Sequence, residues 1–256
     1  MVNRMNNTKE CYSFSRLSSF ENCPYGYYER YIGHKPSQNN SFAEFGSYCH
    51  SLFEAYAKGE YELDSLADIY EFGYSDAITC KWPNNRFVDL ESSYYNAGKK
   101  FFEEWEGYDD SYHILGVEEE FVIPIADFEM TGFLDLVYER NSKLIIRDYK
   151  SKGEIKKTEQ QHYARQLYIY SAYVKEKYGR FPDQIEFFCF RKNHVLEIPF
   201  NKEDYDEAIQ WAIDMVAKIR NEWEFNKTPS QFFCLNLCNV RGECPYGKYW
   251  RWMKNK

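Results

Sequence analysis

The chain has 256 residues, a hydrophobic fraction of 44% and a formal net charge of −8. This length and apolar content suffice for one large domain with a sizeable core. No run of about 18 apolar residues occurs, which excludes a transmembrane helix and predicts a protein without membrane partners. The first residues lack the apolar stretch of a signal peptide, so we expect a cytoplasmic location in a reducing compartment.

The first 110 residues are predicted to be mostly helical. Ser13 is expected to cap a helix that runs to Ile32, because its aromatic residues recur near the helical period. A second helix is expected from about Phe42 to Gly59, and residues 61–110 continue as polar helical sequence. No linker or low-complexity segment interrupts this part. We therefore expect it to elaborate a single domain that spans residues 1–256.

The sequence changes to strand patterns after residue 110. Apolar and β-branched runs predict five strands, at residues 114–125, 130–140, 142–150, 184–190 and 194–200. Helical patterns follow the third and the fifth strand, at residues 158–178 and 202–225. This order predicts an α/β core over residues 111–226. The helical part precedes it, and a cysteine-bearing segment, residues 227–256, follows it.

Two carboxylates are predicted to face each other across a hairpin. If Asn141 and Ser142 form a two-residue turn, then Asp135 lies directly opposite Asp148. Their Cβ atoms would then be about 4.5–5.5 Å apart, and such like-charged pairs destabilise a sheet. A divalent cation would compensate this repulsion, because it prefers oxygen ligands. Gly132, just before, permits a close approach of another group to the backbone.

The residues around this pair suit phosphodiester hydrolysis. Mg²⁺ or Mn²⁺ held by two carboxylates lowers the pKa of a bound water, which can then attack phosphorus. Lys150 shares a strand face with Asp148 and can stabilise charge in the transition state. An ordinary salt bridge between Asp148 and Lys150 is the alternative. Glu119 and Glu120 are either a further metal-binding position or a solvated acidic run.

Two similar sequences lie near the ends of the chain, CPYGYYERY at Cys23 and CPYGKYWRW at Cys244. Cys234, Cys238 and Cys244 also form a C-x₃-C-x₅-C pattern. Three thiolates this close in sequence suit a metal ion or a metal cluster, whose fourth ligand must come from elsewhere.

Basic and aromatic residues leave a nucleic-acid partner open, although the net charge disfavours one. Aromatic residues make up 20% of the chain, and they either pack in the core or stack on unpaired bases. Basic residues gather in two places, one around the third core strand and one at the C-terminus. These are Arg147, Lys150, Lys152, Lys156 and Lys157, and then Lys248, Arg251, Lys254 and Lys256.

Several motifs together resemble the RecB-type exonucleases of the PD-(D/E)xK nuclease superfamily, which include the AddB nuclease domain and nucleases of CRISPR adaptation. The similarity covers nearly the whole chain. The matching segments are GFLDLVYE with Asp135, IIRDYKS with Asp148 and Lys150, GSYCHSLFE with His50, and RQLYIYSAY with Gln166 and Tyr170.

The resemblance implies a restriction-endonuclease-like core, which is a mixed central sheet flanked by helices. It implies Asp135, Asp148 and Lys150 as catalytic residues, and His50 as a metal ligand beside the two aspartates. Gln166 and Tyr170 would line the DNA cleft.

Iron–sulfur members of this family also join one cysteine before the core to three after it. This implies a 4Fe–4S cluster on Cys23, Cys234, Cys238 and Cys244, with Zn²⁺ on the same four residues as the alternative. The three residues between Cys234 and Cys238, where two are expected, depart from the family pattern.

The function expected from this resemblance is that of a metal-dependent DNA exonuclease acting on single strands or DNA ends. It would serve in recombination, repair, phage DNA processing or CRISPR adaptation. The chain contains no helicase P-loop, so any unwinding would come from a helicase or another DNA-processing partner. The alternative is a non-catalytic DNA-binding or scaffold subunit that retains the fold.

Overall fold

A mixed six-stranded sheet forms the centre of the molecule, in a computed structural model that describes residues 9–228 and 230–254. Its strands are β1 (Cys11–Ser13), β2 (His113–Ile125), β3 (Phe128–Arg140), β4 (Lys143–Lys150), β5 (Gln184–Cys189) and β6 (His194–Pro199). The α/β core predicted from the strand patterns is therefore confirmed, and the short β1 is an addition that those patterns did not predict.

Strand β3 pairs with three strands. Along one edge it pairs antiparallel with β2 over nearly its whole length. Along its opposite edge it pairs first in parallel with β1, over residues 129–131, and then antiparallel with β4, over residues 136–140. Residues 132–135 lie between these two partners, so the sheet is open at this point. Beyond β4, β5 is parallel and β6 antiparallel to its neighbour.

Helices cover both faces of the sheet. One buried cluster joins the sheet to α1, α6 and α7, and a second, rich in aromatic residues, joins it to α3, α4 and α5. Among the described residues, no helix is both long and apolar enough to cross a membrane. The helices are α1 (Phe14–Asn22), α2 (Pro24–Tyr27), α3 (Ser41–Ala57), α4 (Leu66–Ala77), α5 (Leu90–Glu104), α6 (Gln160–Tyr178), α7 (Lys202–Asn221) and α8 (Pro245–Lys254).

The first predicted helix is divided into shorter pieces. Ser13 caps α1 as expected, with its Oγ accepting a hydrogen bond from Arg16 N at 3.1 Å. The helix ends at Cys23, which is extended at φ −160° and ψ 98°, because the ring of Pro24 disfavours the helical conformation in the residue before it. Cys23 then caps α2, and its Sγ accepts from Gly26 N at 3.4 Å. Pro24 thus leaves Cys23 at the junction between α1 and α2.

The hairpin between β3 and β4 has the predicted turn and register. Asn141 and Ser142 both have positive φ values, 51° and 63°, as a tight two-residue hairpin turn requires. Arg140 pairs with Lys143, and the ladder continues to Leu136 and Arg147. Asp135 and Asp148 lie one position beyond this last pair, where the two strands separate.

Candidate active site

A cleft of about 1200 Å³ opens beside the separated ends of β3 and β4. Its walls come from α1, α3, β2, β3, β4, α6 and the segment that follows α7. All six predicted catalytic, metal-binding and DNA-cleft residues line it, namely His50, Asp135, Asp148, Lys150, Gln166 and Tyr170. Cys23, one of the four predicted cysteine ligands, lines it too. Cys238 lies on its wall as well.

His50, Glu118 and Asp135 form a group that suits a metal ion. One potential ligand atom from each lies within 4.8 Å of the others. His50 Nδ1 is 3.4 Å from Asp135 Oδ2 and 4.0 Å from Glu118 Oε1. An imidazole nitrogen with two carboxylates is a donor set that binds divalent transition metals, and carboxylate oxygens also suit Mg²⁺ and Mn²⁺.

The backbone of Tyr149 orients two members of this group. Its carbonyl oxygen lies 2.7 Å from His50 Nε2, so this nitrogen carries the proton, and Nδ1 of the neutral ring has a free lone pair towards the carboxylates. The Tyr149 N–H donates to Asp135 Oδ2 at 2.8 Å. The Tyr149 ring stacks on Phe53, with ring centroids 4.4 Å apart, which anchors this backbone in the core.

Asp148 and Lys150 lie on the same side of β4, as the strand alternation predicts. Lys150 Nζ is 2.7 Å from Asp148 Oδ2, and it donates to Gln166 Oε1 at 3.2 Å. Gln166 Nε2 in turn donates to the Tyr170 hydroxyl at 3.4 Å. The salt bridge that the sequence offered as the alternative to a metal site is therefore present, and Asp148 lies outside the group of His50, Glu118 and Asp135. Helix α6 holds the lysine through Gln166.

The electrostatics of this site favour a bound cation. Burial raises the pKa of Asp135 well above its usual range, and the neighbouring charge of Asp148 adds to the rise. Burial, followed by the charge of Asp135, raises the pKa of Glu118 to about 7. Burial lowers the pKa of His50, which keeps the ring neutral. Carboxylates that resist ionisation together are stabilised in the ionised form by a divalent cation, so these residues fit such an ion.

Glu118 was not singled out from the sequence, whereas Glu119 and Glu120 were. Glu119 lies on the other side of β2, where it accepts hydrogen bonds from Tyr173 and Tyr178 and pairs with Lys177. Glu120 is exposed. The prediction of a solvated carboxylate therefore describes Glu120 but not Glu119, which is mostly buried in its contacts with α6. The carboxylate beside His50 and Asp135 belongs to Glu118.

The register of the β2–β3 hairpin could have identified Glu118 from the sequence. Its turn is also two residues long, since Ile125 pairs with Phe128, and counting outward from it places Glu118 opposite Asp135. The register is the same on both sides of Glu118, since Val117 pairs with Leu136 and Glu119 with Leu134. Glu118 has a positive φ of 47°, which an alternating strand pattern does not reveal.

The basic residues predicted around β4 do not form a single patch. Arg147 is buried on the opposite side of the sheet, where its Nη2 lies 2.8 Å from Glu186 Oε2. Lys152 pairs with Glu159 at 2.7 Å, while Lys156 and Lys157 are exposed. Arg30 lines the cleft instead. Of the predicted C-terminal basic residues, Lys256 lies outside the described residues.

The four cysteines singled out from the sequence converge on one region. Burial raises the pKa of Cys234, and the nearby thiols of Cys23 and Cys244 contribute to the rise. The pKa of Cys238 is raised by burial and by the other three thiols. Near them, Lys227 Nζ lies over the ring of Tyr25 at 4.5 Å and that of Tyr246 at 5.3 Å. The two CPYG sequences thus meet at one lysine.

Comparison with known proteins places this geometry in a family. No curated protein sequence matches the chain. A solved structure of a candidate exonuclease from Eubacterium rectale has a similar fold, with a TM-score of 0.55, 15% identity, and 88% of each chain covered. The solved structure named SSO0001 aligns at 15% identity over 96% of this chain and 90% of that one, with a TM-score of 0.38. The family model described as the PD-(D/E)XK nuclease superfamily matches residues 12–245. The chain therefore belongs to the PD-(D/E)XK nuclease superfamily.

Proposed function

We propose that this protein is a divalent-metal-dependent exodeoxyribonuclease that acts on single-stranded DNA or DNA ends. The observation that carries the proposal is that the metal-binding side chains of His50, Glu118 and Asp135 converge with Asp148 and Lys150 in one cleft. His50, Glu118 and Asp135 come from three different elements, α3, β2 and β3. A sheet that only needed stability would gain little from three crowded ionisable groups with raised or lowered pKa values.

The proposed roles follow from the position of each side chain. His50 Nδ1 and the carboxylate oxygens of Glu118, Asp135 and Asp148 would hold Mg²⁺ or Mn²⁺. When bound, such an ion supplies a nucleophilic hydroxide and neutralises charge on the phosphate. Lys150, held between Asp148 and Gln166, would orient the attacking water and stabilise the negative charge of the transition state.

The four cysteines would hold a 4Fe–4S cluster with a structural role. Among the described residues, the only set of three or more metal-binding side chains gathered within 4.8 Å is the one at His50. The mutual influence of the four thiols on their pKa values supports a shared site, and tetrahedral Zn²⁺ on the same four thiolates is the alternative occupant. The N-terminal Cys23 and the C-terminal segment would be joined by this cluster.

The protein would act in DNA processing, with recombination, repair, phage DNA processing and CRISPR adaptation as the candidate settings. Any unwinding of duplex DNA would come from a helicase or another DNA-processing partner. The location that we expect is the cytoplasm.

Matched linear and circular single-stranded DNA test the proposal. Purified anaerobically, the protein should degrade end-labelled linear DNA in Mn²⁺ or Mg²⁺ and leave the circle intact, and EDTA should abolish the degradation. Cleavage of the circle would replace the exonuclease assignment with an endonuclease one. Tight DNA binding without cleavage in any divalent metal would replace both with the non-catalytic DNA-binding subunit. Iron content and absorbance near 400 nm in the same preparation test the cluster, and stoichiometric zinc without iron would reject it.

A further inference from the structure

Phe133 is an exposed aromatic residue at the floor of the active-site cleft. It lies two positions before Asp135 on β3, and 53% of its surface is accessible to solvent. Pairing of this edge of β3 with β1 ends at Thr131, and pairing with β4 begins at Leu136. The ring therefore stands where the sheet is open, in the cleft that also contains Asp148 and Lys150.

The backbone next to Phe133 packs closely against the rings of Phe121 and Tyr170. A Cβ built on Gly132 would lie 2.7 Å from Phe121 Cζ and 2.8 Å from Tyr170 Cζ, which is closer than carbon atoms can approach. The chain at this point is thus pressed onto two rings that are themselves in contact, with centroids 4.8 Å apart. A rigid support of this kind lowers the entropic cost of binding a ligand on the other side.

Exposure alone does not make an aromatic side chain functional. Phe72 on α4 is 88% exposed, and it lines no part of the cleft. Val122, across the hairpin, is 55% exposed and is also absent from the cleft lining. Phe133 differs from both because its exposed ring lies in the same cleft as His50, Glu118 and Asp135. Residues two apart on a strand are separated by about 6.6 Å, and a nucleotide spans a similar distance from phosphate to base.

We infer that Phe133 is a stacking platform for an unpaired base of the DNA strand whose phosphate lies at Asp135 and Asp148. The inference rests on the proposed nuclease function and adds a basis for substrate selection. A flat ring accepts the face of any base, so it gives affinity without sequence preference. The paired bases of a duplex cover one another's faces, so duplex DNA cannot use the platform unless its end frays. The platform thus makes the cleft selective for single strands.

Binding to metal-free protein tests the platform separately from catalysis. The probes are fluorescent oligothymidylate and an abasic oligonucleotide of the same length, measured by anisotropy with EDTA. Phe133→Ala and Phe133→Leu should each weaken oligothymidylate binding by about ten-fold or more and leave binding of the abasic strand unchanged. Phe133→Trp should retain wild-type affinity. Phe72→Ala and Val122→Ala serve as controls of matched exposure, and neither should alter either affinity.

Two outcomes would overturn the inference. One is wild-type affinity of Phe133→Ala or Phe133→Leu for oligothymidylate. The other is an equal loss for both probes, which would mean that Phe133 acts on the backbone path instead of a base. The DNA cleavage assay of the wild-type protein decides the proposed function independently. If the wild type fails to cleave but Phe133→Ala binds oligothymidylate as weakly as expected, the nuclease assignment fails and the stacking role stands.

Discussion

Single residues around Tyr149 connect the fold to the proposed chemistry. The D-x-K motif contributes its first and third side chains to the cleft, while the backbone of the middle residue holds His50 and Asp135. The Tyr149 hydroxyl also contacts that of Tyr108. Each of these contacts joins the site to the aromatic cluster beneath it. The geometry of the group is therefore fixed by packing as well as by charge.

Lys150→Ala should separate metal binding from turnover. The lysine lies beside Asp148 but outside the His50–Glu118–Asp135 group, so Mn²⁺ affinity measured by calorimetry should change little. The turnover rate on single-stranded DNA should fall by about 10²–10³-fold, since a preorganised charge is lost. Lys177→Ala is the matched control, because Lys177 pairs with Glu119 away from the cleft. Wild-type turnover in Lys150→Ala would remove the lysine from the mechanism.

Glu118 should make the metal-free protein less stable as pH rises. Its pKa is raised from 4.5 to about 7, so between these values the folded state binds more protons than the unfolded state. The stabilisation is complete below pH 4.5 and is lost as pH rises through about 7, by on the order of 3 kcal/mol at most. His50 acts in the opposite direction because its pKa is lowered.

The variant Glu118→Gln isolates this carboxyl from His50. We expect the stability difference between wild type and Glu118→Gln to change across this pH range in urea denaturation with EDTA. Saturating Mn²⁺ should reduce the pH dependence of the wild type, because the bound ion favours the ionised carboxylates. A difference that stays constant between pH 5 and 8 would show that Glu118 titrates normally.

Asp135, Asp148 and Lys150 were predicted from strand alternation and hairpin register, whereas Gln166 and Tyr170 were predicted from the resemblance to the nuclease family. Strand alternation placed the aspartate and the lysine on one side, and helical spacing placed Gln166 beside Tyr170. Glu118 was not predicted, because its positive φ of 47° is a departure from strand conformation that the alternation of apolar and polar residues does not reveal. A backbone irregularity of this kind at a functional site cannot be predicted from the apolar and polar alternation of a strand.

At the scale of elements, the open edge of β3 defines the cleft. The long strands were predicted from their apolar patterns, and the β3–β4 hairpin was predicted from its turn residues, Asn141 and Ser142. The three-residue β1 was not predicted, because its sequence, Cys11–Ser13, is too short for a strand pattern. Yet β1 is what bounds the open stretch on one side, as β4 does on the other. The shape of the cleft therefore depends on a pairing between distant parts of the chain.

Gly132→Ala should disturb this edge. The added methyl group would overlap the rings of Phe121 and Tyr170, so we expect the free energy of unfolding to fall by about 1–3 kcal/mol, as measured by urea denaturation. Gly46→Ala is a suitable control on α3, since its nearest neighbour would be Ser151 Oγ at 3.5 Å, and a helical alanine stabilises by up to about 1 kcal/mol. Equal stability of the two variants would contradict the close packing at Gly132.

At the scale of the whole molecule, the two ends of the described chain meet beside the cleft. Tyr25 N donates to the carbonyl oxygen of Asn226 at 3.2 Å, and Gln38 N to that of Asn239 at 2.7 Å. The segment after α7 thereby forms a wall of the cleft. A group bound by the cysteines would close a loop of about two hundred residues and reduce the entropy of the unfolded chain.

Cys23→Ala should therefore affect both stability and substrate binding. We expect loss of the cofactor, a melting midpoint lower by more than about 5 °C, and weaker binding of single-stranded DNA as the wall loosens. Iron content, thermal melting and anisotropy measure the three effects. Cys11→Ala, at an exposed cysteine elsewhere, should match the wild type. Unchanged iron content and melting in Cys23→Ala would remove Cys23 from the ligand set.

The central claim is that Asp148 and its neighbours hydrolyse DNA with a divalent metal. The most direct test compares degradation of end-labelled single-stranded DNA in Mn²⁺ by the wild type, Asp148→Asn and Glu104→Gln. Asp148 is 4% exposed in the cleft, and its replacement should abolish degradation while circular dichroism shows a retained fold. Glu104, an exposed carboxylate at the end of α5 and outside the cleft, should be dispensable. Full activity of Asp148→Asn would contradict the assignment of this site.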